Sequence, residues 1–136
     1  MRRATLLLLF GLLLSGCTPG LVLNLYNATG HALRITNPPF RRVVTIPPDT
    51  AADVAVSGDV LVQSSGRSWT YSPGSMAPPA ELFEKHGMLW RAFGKIDSRG
   101  YVSIRVPLGQ PQPVGFPLKP QRPNQAMQRT ANRPYA

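Results

Sequence analysis

Short apolar runs, separated about every 8–12 residues by Pro, Gly and Asn turn signals, leave this chain little besides an antiparallel β architecture. Residues 21–26 alternate Leu21, Leu23 and Leu25 with Val22, Asn24 and Tyr26, the period-two pattern of a strand with two unlike faces. Asn27-Ala28-Thr29-Gly30 supplies turn chemistry and residues 31–36 resume the alternation, so the two runs are expected to pair as a hairpin. Pro38 and Pro39 then stop the ladder, because neither carries an N–H to donate. Residues 43–46 form a short run closed by Pro47-Pro48-Asp49, and residues 52–56 and 60–63 flank the turn Ser57-Gly58-Asp59. Ser65-Gly66 fits the two-residue connection of a hairpin whose second strand is Ser68-Trp69-Thr70-Tyr71. Residues 88–96 and 101–106 enclose the turn Asp97-Ser98-Arg99-Gly100, with Val102, Ile104 and Val106 expected to face inward. The expected fold class is therefore all-β, a small antiparallel sandwich or open barrel with at most one short helix. That helix would lie within residues 78–87, where Pro78 or Pro79 can open it, Glu81 suits its start and Gly87 its end; an irregular loop of the same span fits the sequence equally well.

From Pro107 the texture changes. Seven of the chain's 15 prolines lie from there onward, interspersed with Gln, Gly, Asn and Arg, and such a tract buries too little apolar surface to offset ordering. It is expected to be a Pro-rich disordered tail. Val114, Phe116 and Leu118 are the exception, expected to lay one stretch, to about residue 118, back against a sheet edge. The domain plan is thus 1–16 a signal peptide, 17–20 a tether, 21–106 the β domain and 107–136 a basic tail.

The leader rests on its own residues. Arg2 and Arg3 precede an apolar run over residues 5–14, too short to span a hydrocarbon core that needs about 20 helical residues, so it reads as a signal peptide. Leu14-Ser15-Gly16-Cys17 resembles the lipobox of bacterial prolipoproteins: a Leu, two small residues, then Cys. The resemblance implies that Cys17 receives a diacylglyceryl group, that cleavage falls before it, and that its new α-amine is acylated with a palmitate-type chain. Thr18, where an Asp would retain a lipoprotein in the inner membrane, implies the outer membrane, facing the periplasm. With residues 18–20 as the whole tether, the first strand is expected to begin close to the bilayer. Residues 17–118 also resemble small bacterial lipoproteins without an assigned function, in which a strand enters an Asn-x-(Ser/Thr)-Gly turn and a Trp-x-Tyr strand follows a Pro-rich turn.

Cys17 is the only cysteine, so the fold must hold without disulfides. The net charge is +9, and all six acids, Asp49, Asp53, Asp59, Glu81, Glu84 and Asp97, precede residue 98. Arg99, Arg105, Lys119, Arg122, Arg129 and Arg133 follow without an acid among them. In an exported protein the partners open to that excess are anionic envelope polymers, lipid headgroups or an envelope protein, and not nucleic acid; a solvated tail with no particular partner explains it more simply.

The inventory of reactive groups is thin. Only His31 and His86 are available as a general base, no Gly-x-Ser-x-Gly elbow accompanies them, and two separated imidazoles do not make a zinc site. Glu81 and Glu84 fit a solvated face. No enzyme activity, metal or cofactor is expected, and the function expected is a non-enzymatic binding or scaffolding role for a lipid-anchored envelope domain; the alternative is a small inhibitor or accessory subunit acting through an exposed sheet edge. The candidate binding surface is Trp69, Tyr71, Arg91, Tyr101 and Arg105. Exposed, these residues make a platform for a sugar ring or a partner; buried, the Trp side chains fill a core that needs their area.

Overall fold

The computed structural model describes residues 20–37, 42–56, 58–72 and 74–121; the expected signal peptide, Cys17, Pro38, Pro39 and the tail beyond 121 lie outside them. Among the described residues the chain forms β1 (Gly20–Ala28), β2 (Leu33–Asn37), β3 (Arg42–Ile46), β4 (Ala51–Ala55), β5 (Val60–Ser64), β6 (Arg67–Tyr71), β7 (Glu84–His86), β8 (Leu89–Asp97) and β9 (Val102–Ile104). They make two sheets, one ordered β4-β1-β8-β7 with β9 also on β8, the other β3-β2-β5-β6. The sheets pack face to face and do not close into a barrel, so of the two expected architectures the sandwich is the one formed. Leu23, Leu25, Ala92, Ile96, Val102 and Ile104 of the first sheet meet Leu33, Ile35, Val60, Val62 and Tyr71 of the second in one buried cluster.

β8 is the spine of the first sheet. One edge runs parallel to β1 over the full length of both, from Gly20 opposite Leu89 to Ala28 opposite Asp97. Its other edge is shared: β7 takes the first half and β9 the second, both antiparallel. The β8–β9 hairpin is the one expected, with Val102 and Ile104 buried, and Ser65-Gly66 joins β5 to β6 with both residues at positive φ, 46° and 77°, as a two-residue hairpin turn of this hand requires.

The expected hairpin of residues 21–36 does not form. β1 and β2 belong to different sheets, and the turn between them carries the chain across the sandwich. Asn27 explains why. It is fully buried, and its carboxamide donates to the carbonyls of His31 at 2.7 Å and Ile46 at 3.0 Å. Its oxygen accepts from the N–H of Thr29 at 3.0 Å and the Thr29 hydroxyl at 2.7 Å. Ile46 ends β3, where the chain crosses back through Pro47 to Thr50 into β4. There the Asn27 N–H donates to the Thr50 carbonyl at 2.9 Å and the Asp49 N–H to the Asn27 carbonyl at 3.0 Å. One residue therefore fastens both crossings, and every hydrogen-bonding group of its side chain is satisfied.

The segment that admitted a helix forms only a 3-10 turn, Ala80–Leu82. Phe83 is extended (φ −83°, ψ 133°) and turns its ring into the core, after which β7 pairs with β8. Past β9, the Gln112 side chain imitates a neighbouring strand: its oxygen accepts from the Ile104 N–H at 2.8 Å and its amide donates to the Ile104 carbonyl at 2.7 Å. Leu118 then bridges to Val102 on β9 and Gln121 to Thr70 on β6, so residues 118–121 lie along the edges of both sheets. Phe116 and Leu118 pack on the core as expected; Val114 does not, being fully exposed.

Candidate functional site

Among the described residues, two hollows have room for a small ligand. The first lies on the outer face of the β4-β1-β8 sheet, where odd-numbered residues of β8 and even-numbered residues of β1 point away from the core. Its volume is about 450 Å³, and its lining includes Tyr26, Phe93, Lys95, Ser103 and Arg105, with the small side chain of Ala51 leaving room beside Tyr26. The Arg105 guanidinium lies 3.9 Å above the centroid of the Phe93 ring, a cation–π stack, and His86 meets the same ring edge-on with centroids 6.2 Å apart. Among the described residues no carboxylate is within ion-pair distance of Lys95 or Arg105. The groove therefore carries two positive charges and two aromatic rings, and no carboxylate, thiol or imidazole lines it.

Arg91, on the same face, is committed elsewhere. It reaches across β1 to Asp53 on β4, with Nε to Oδ1 at 3.0 Å and Nη2 to Oδ2 at 2.7 Å, while Asn24 of the intervening strand donates to Oδ1 at 3.0 Å. The Arg91 hydrogen bonds hold the Asp53 carboxyl below its ordinary range against the opposing effect of burial, and Asn24 helps; the same bond raises Arg91 further.

The second hollow, about 350 Å³, is built by three turns at one end of the sandwich. Thr29 and His31 come from the crossing after β1, Ser64, Ser65, Arg67 and Trp69 from the β5–β6 hairpin, and Ser98 from the β8–β9 turn. Arg67 Nη1 donates to the Ser98 carbonyl at 3.1 Å, tying two of the turns together. Trp69 is clamped from behind: Gly100 has φ +80°, and a Cβ there would come within 2.9 Å of three atoms of the indole. The Gly100 carbonyl in turn accepts from the Tyr71 hydroxyl at 2.5 Å.

The five candidate surface residues thus do not share one surface. Arg105 lies in the groove, Arg91 lies beside it but is paired, and Trp69 lines the end hollow. Tyr71 is in the core at 1 % exposure, its phenol pushed up by burial and, secondarily, by the charge of Asp97. Tyr101 sits under the Arg99 guanidinium at 4.4 Å, part of the β8–β9 turn. There, burial works against the Asp97 carboxylate, but Arg99 and the backbone N–H groups of Tyr101 and Arg99 outweigh it and lower its pKa. Sequence reasoning missed Tyr26, Lys95 and Ser103 in the groove and the serines of the hollow. Tyr26, Lys95 and Ser103 have a readable outward parity, whereas Ser64 is buried and Ser65 and Ser98 sit in turns; in both places the neighbours that make a site come from distant strands. Among the described residues no three of His, Cys, Asp or Glu gather into a metal site. No family model, curated protein or solved structure matches the chain.

Proposed function

We propose that this chain is a lipid-anchored β domain of a bacterial envelope, held in the outer membrane through Cys17 and facing the periplasm, with a binding or scaffolding role and no catalysis of its own. The observation that carries the binding role is the groove on the first sheet. Two cations without a carboxylate partner among the described residues, Lys95 and Arg105, stand beside two aromatic rings in a cleft within the usual size range of ligand sites. An anionic envelope polymer supplies the complementary charge, worth about 1 kcal/mol per cation near an anionic surface and screened by salt. The anchor rests on the lipobox and the close start of β1, which begins at Gly20. Three acyl chains at about 0.8 kcal/mol per buried CH₂ make such attachment effectively permanent.

Two measurements test the reading. Radiolabelled palmitate should enter the wild-type chain and not Cys17→Ala; equal labelling of both ends the anchor proposal. Isolated lipopolysaccharide and peptidoglycan should retain the mature protein, and the double variant Lys95→Gln, Arg105→Gln should lose most of that retention. No retention of either form removes the anionic-polymer reading.

A second reading, an inhibitor or accessory subunit that adds a partner strand, is favoured by the edges. Among the described residues β3 pairs only with β2 and β4 only with β1, so each leaves one row of backbone groups open to augmentation. A partner bound this way slows amide exchange in β3 or β4. A partner that protects neither strand is bound elsewhere.

A further inference from the structure

β1 gives the domain a direction. It leaves the tether at Gly20 and runs nine residues to Ala28, about 26 Å at roughly 3.3 Å per residue. The crossing at Thr29 and His31, with the hollow it helps to line, is therefore the pole farthest from the tether. Only this orientation rests on the lipid-anchored reading; the chemistry of the hollow does not.

That chemistry is one-sided. The lining offers a guanidinium, an imidazole, several hydroxyls and part of an indole, and no carboxylate. Arg67 spends one donor on the Ser98 carbonyl, which aims the guanidinium and leaves its remaining N–H groups for a ligand, in the fork geometry that fits carboxylate or phosphate oxygens. Ser64, Ser65 and Ser98 surround it with groups that both donate and accept. The indole of Trp69 is fixed by Gly100 behind it, so the part left uncovered is a preformed apolar wall against which a ring can lie at small entropic cost. A volume of about 350 Å³ is near the lower limit for small-molecule sites, room for a sugar unit and not for a folded partner.

We infer that this hollow is a binding site for an anionic sugar: a hydroxylated ring bearing one carboxylate or phosphate, its charge taken by Arg67, its hydroxyls by the serines, and its ring face by Trp69. It is separate from the groove on the first sheet, shares no lining residue with it, and faces away from the bilayer, where a glycan strand would be met.

The test uses the lipidated mature chain in detergent micelles and follows its two indole N–H signals by NMR. Glucuronate, glucose 6-phosphate and glucose are titrated separately. The signal of Trp69 should move saturably with at least one of the anionic sugars while that of Trp90 stays in place, and glucose should bind at least about tenfold more weakly, since the charged bond is lost. Saturation by glucuronate alone assigns a carboxylate ligand, by glucose 6-phosphate alone a phosphate ligand, and either supports the site. Arg67→Gln should weaken binding at least about tenfold. Ser98→Glu, which places a carboxylate beside Arg67, should abolish it. Lys119→Gln, an equal loss of charge elsewhere, should have no effect, and neither should the groove variant Lys95→Gln, Arg105→Gln, so this result and that of the groove are read independently. Equal binding of glucose and the anionic sugars, no saturable shift of Trp69, or unchanged binding in both Arg67→Gln and Ser98→Glu overturns the inference.

Discussion

Replacing Asn27 with alanine removes one carboxamide and strands the groups it served at the two crossings between the sheets. The cost can be worked bond by bond. The Ile46 carbonyl is buried and its residue has no exposure, so leaving that oxygen unpaired costs about 1–3 kcal/mol. The bonds to the His31 carbonyl, the Thr29 N–H and the Thr29 hydroxyl are partly buried; water replaces them in part, at about 0.5 kcal/mol each. The sum, about 2.5–4.5 kcal/mol, is a large share of the 5–15 kcal/mol typical of a small domain. It corresponds to a fall in Tm of roughly 10–30 °C at a few degrees per kcal/mol. Asn27→Asp keeps the acceptor but aims a carboxylate at two carbonyl oxygens. At neutral pH it should be at least as damaging, and it should recover in part as pH falls toward the ordinary Asp value near 4, because burial against two carbonyl oxygens favours the protonated acid, which regains one O–H donor. Thr29→Ala, which removes one hydroxyl from the cluster, should cost only about 1 kcal/mol. Urea and thermal unfolding of the mature chain, followed by circular dichroism, measures all three. A loss under about 0.5 kcal/mol in Asn27→Ala would refute the assignment of Asn27 as the fastening of both crossings.

Gly100→Ala forces a methyl into the Trp69 ring at a positive φ and should cost about 2–4 kcal/mol, whereas Gly30→Ala, at φ +84° with nothing within 4 Å, should cost only about 1 kcal/mol; equal losses in Tm would deny the ring contact. Tyr71→Phe deletes the donor to the Gly100 carbonyl and should lower stability by about 1–2 kcal/mol in the same assay. Asp53 and Asp97 both have depressed folded pKa values, so the unfolded chain binds protons first; their stabilisation is present above the ordinary Asp value near 4 and is lost as pH falls through the lower folded values. The urea midpoint should therefore decline below about pH 4, and the decline should be shallower in Asp53→Asn. An unchanged slope in that variant would show that the Arg91 bond does not couple to folding.

The elements that were legible are those whose partners are neighbours in sequence. The β8–β9 hairpin and the Ser65-Gly66 turn could be read because alternation fixes which face is buried and the turn residues fix the register locally. The same two signals occur on either side of Asn27, yet there the chain crosses to the opposite sheet. What decides between hairpin and crossing is a bond from Asn27 to Ile46, a residue outside the local window. Parallel pairing of β1 with β8 was equally hidden, since a parallel partner sits beyond a long connection and leaves no turn to recognise. Residues 80–86 show a third case. Caps and charges there satisfied helix rules, but burying Phe83 and pairing residues 84–86 with β8 override the weak propensity of so short a segment.

The groove's charge follows from sheet order in the same way. Arg91 and Arg105 look alike in the sequence, each an outward arginine near an outward aromatic. β1 separates β8 from β4 by one strand, within reach of an arginine, and Asp53 on β4 lies directly opposite Asn24, so Arg91 is neutralised across it. Arg105 follows β9, on the far edge of β8, where the ladder continues from the Arg105 N–H to the Phe93 carbonyl at 2.8 Å; its guanidinium meets a ring instead of an acid. All six carboxylates precede residue 98, and the antiparallel return of β9 brings the acid-poor part of the chain back along the face of β8. A basic excess that looks diffuse in one dimension is thereby concentrated at Lys95 and Arg105: β7 places Glu84 opposite Arg91 in the first half of that edge, but along the half that β9 occupies no carboxylate among the described residues is within ion-pair distance of either cation.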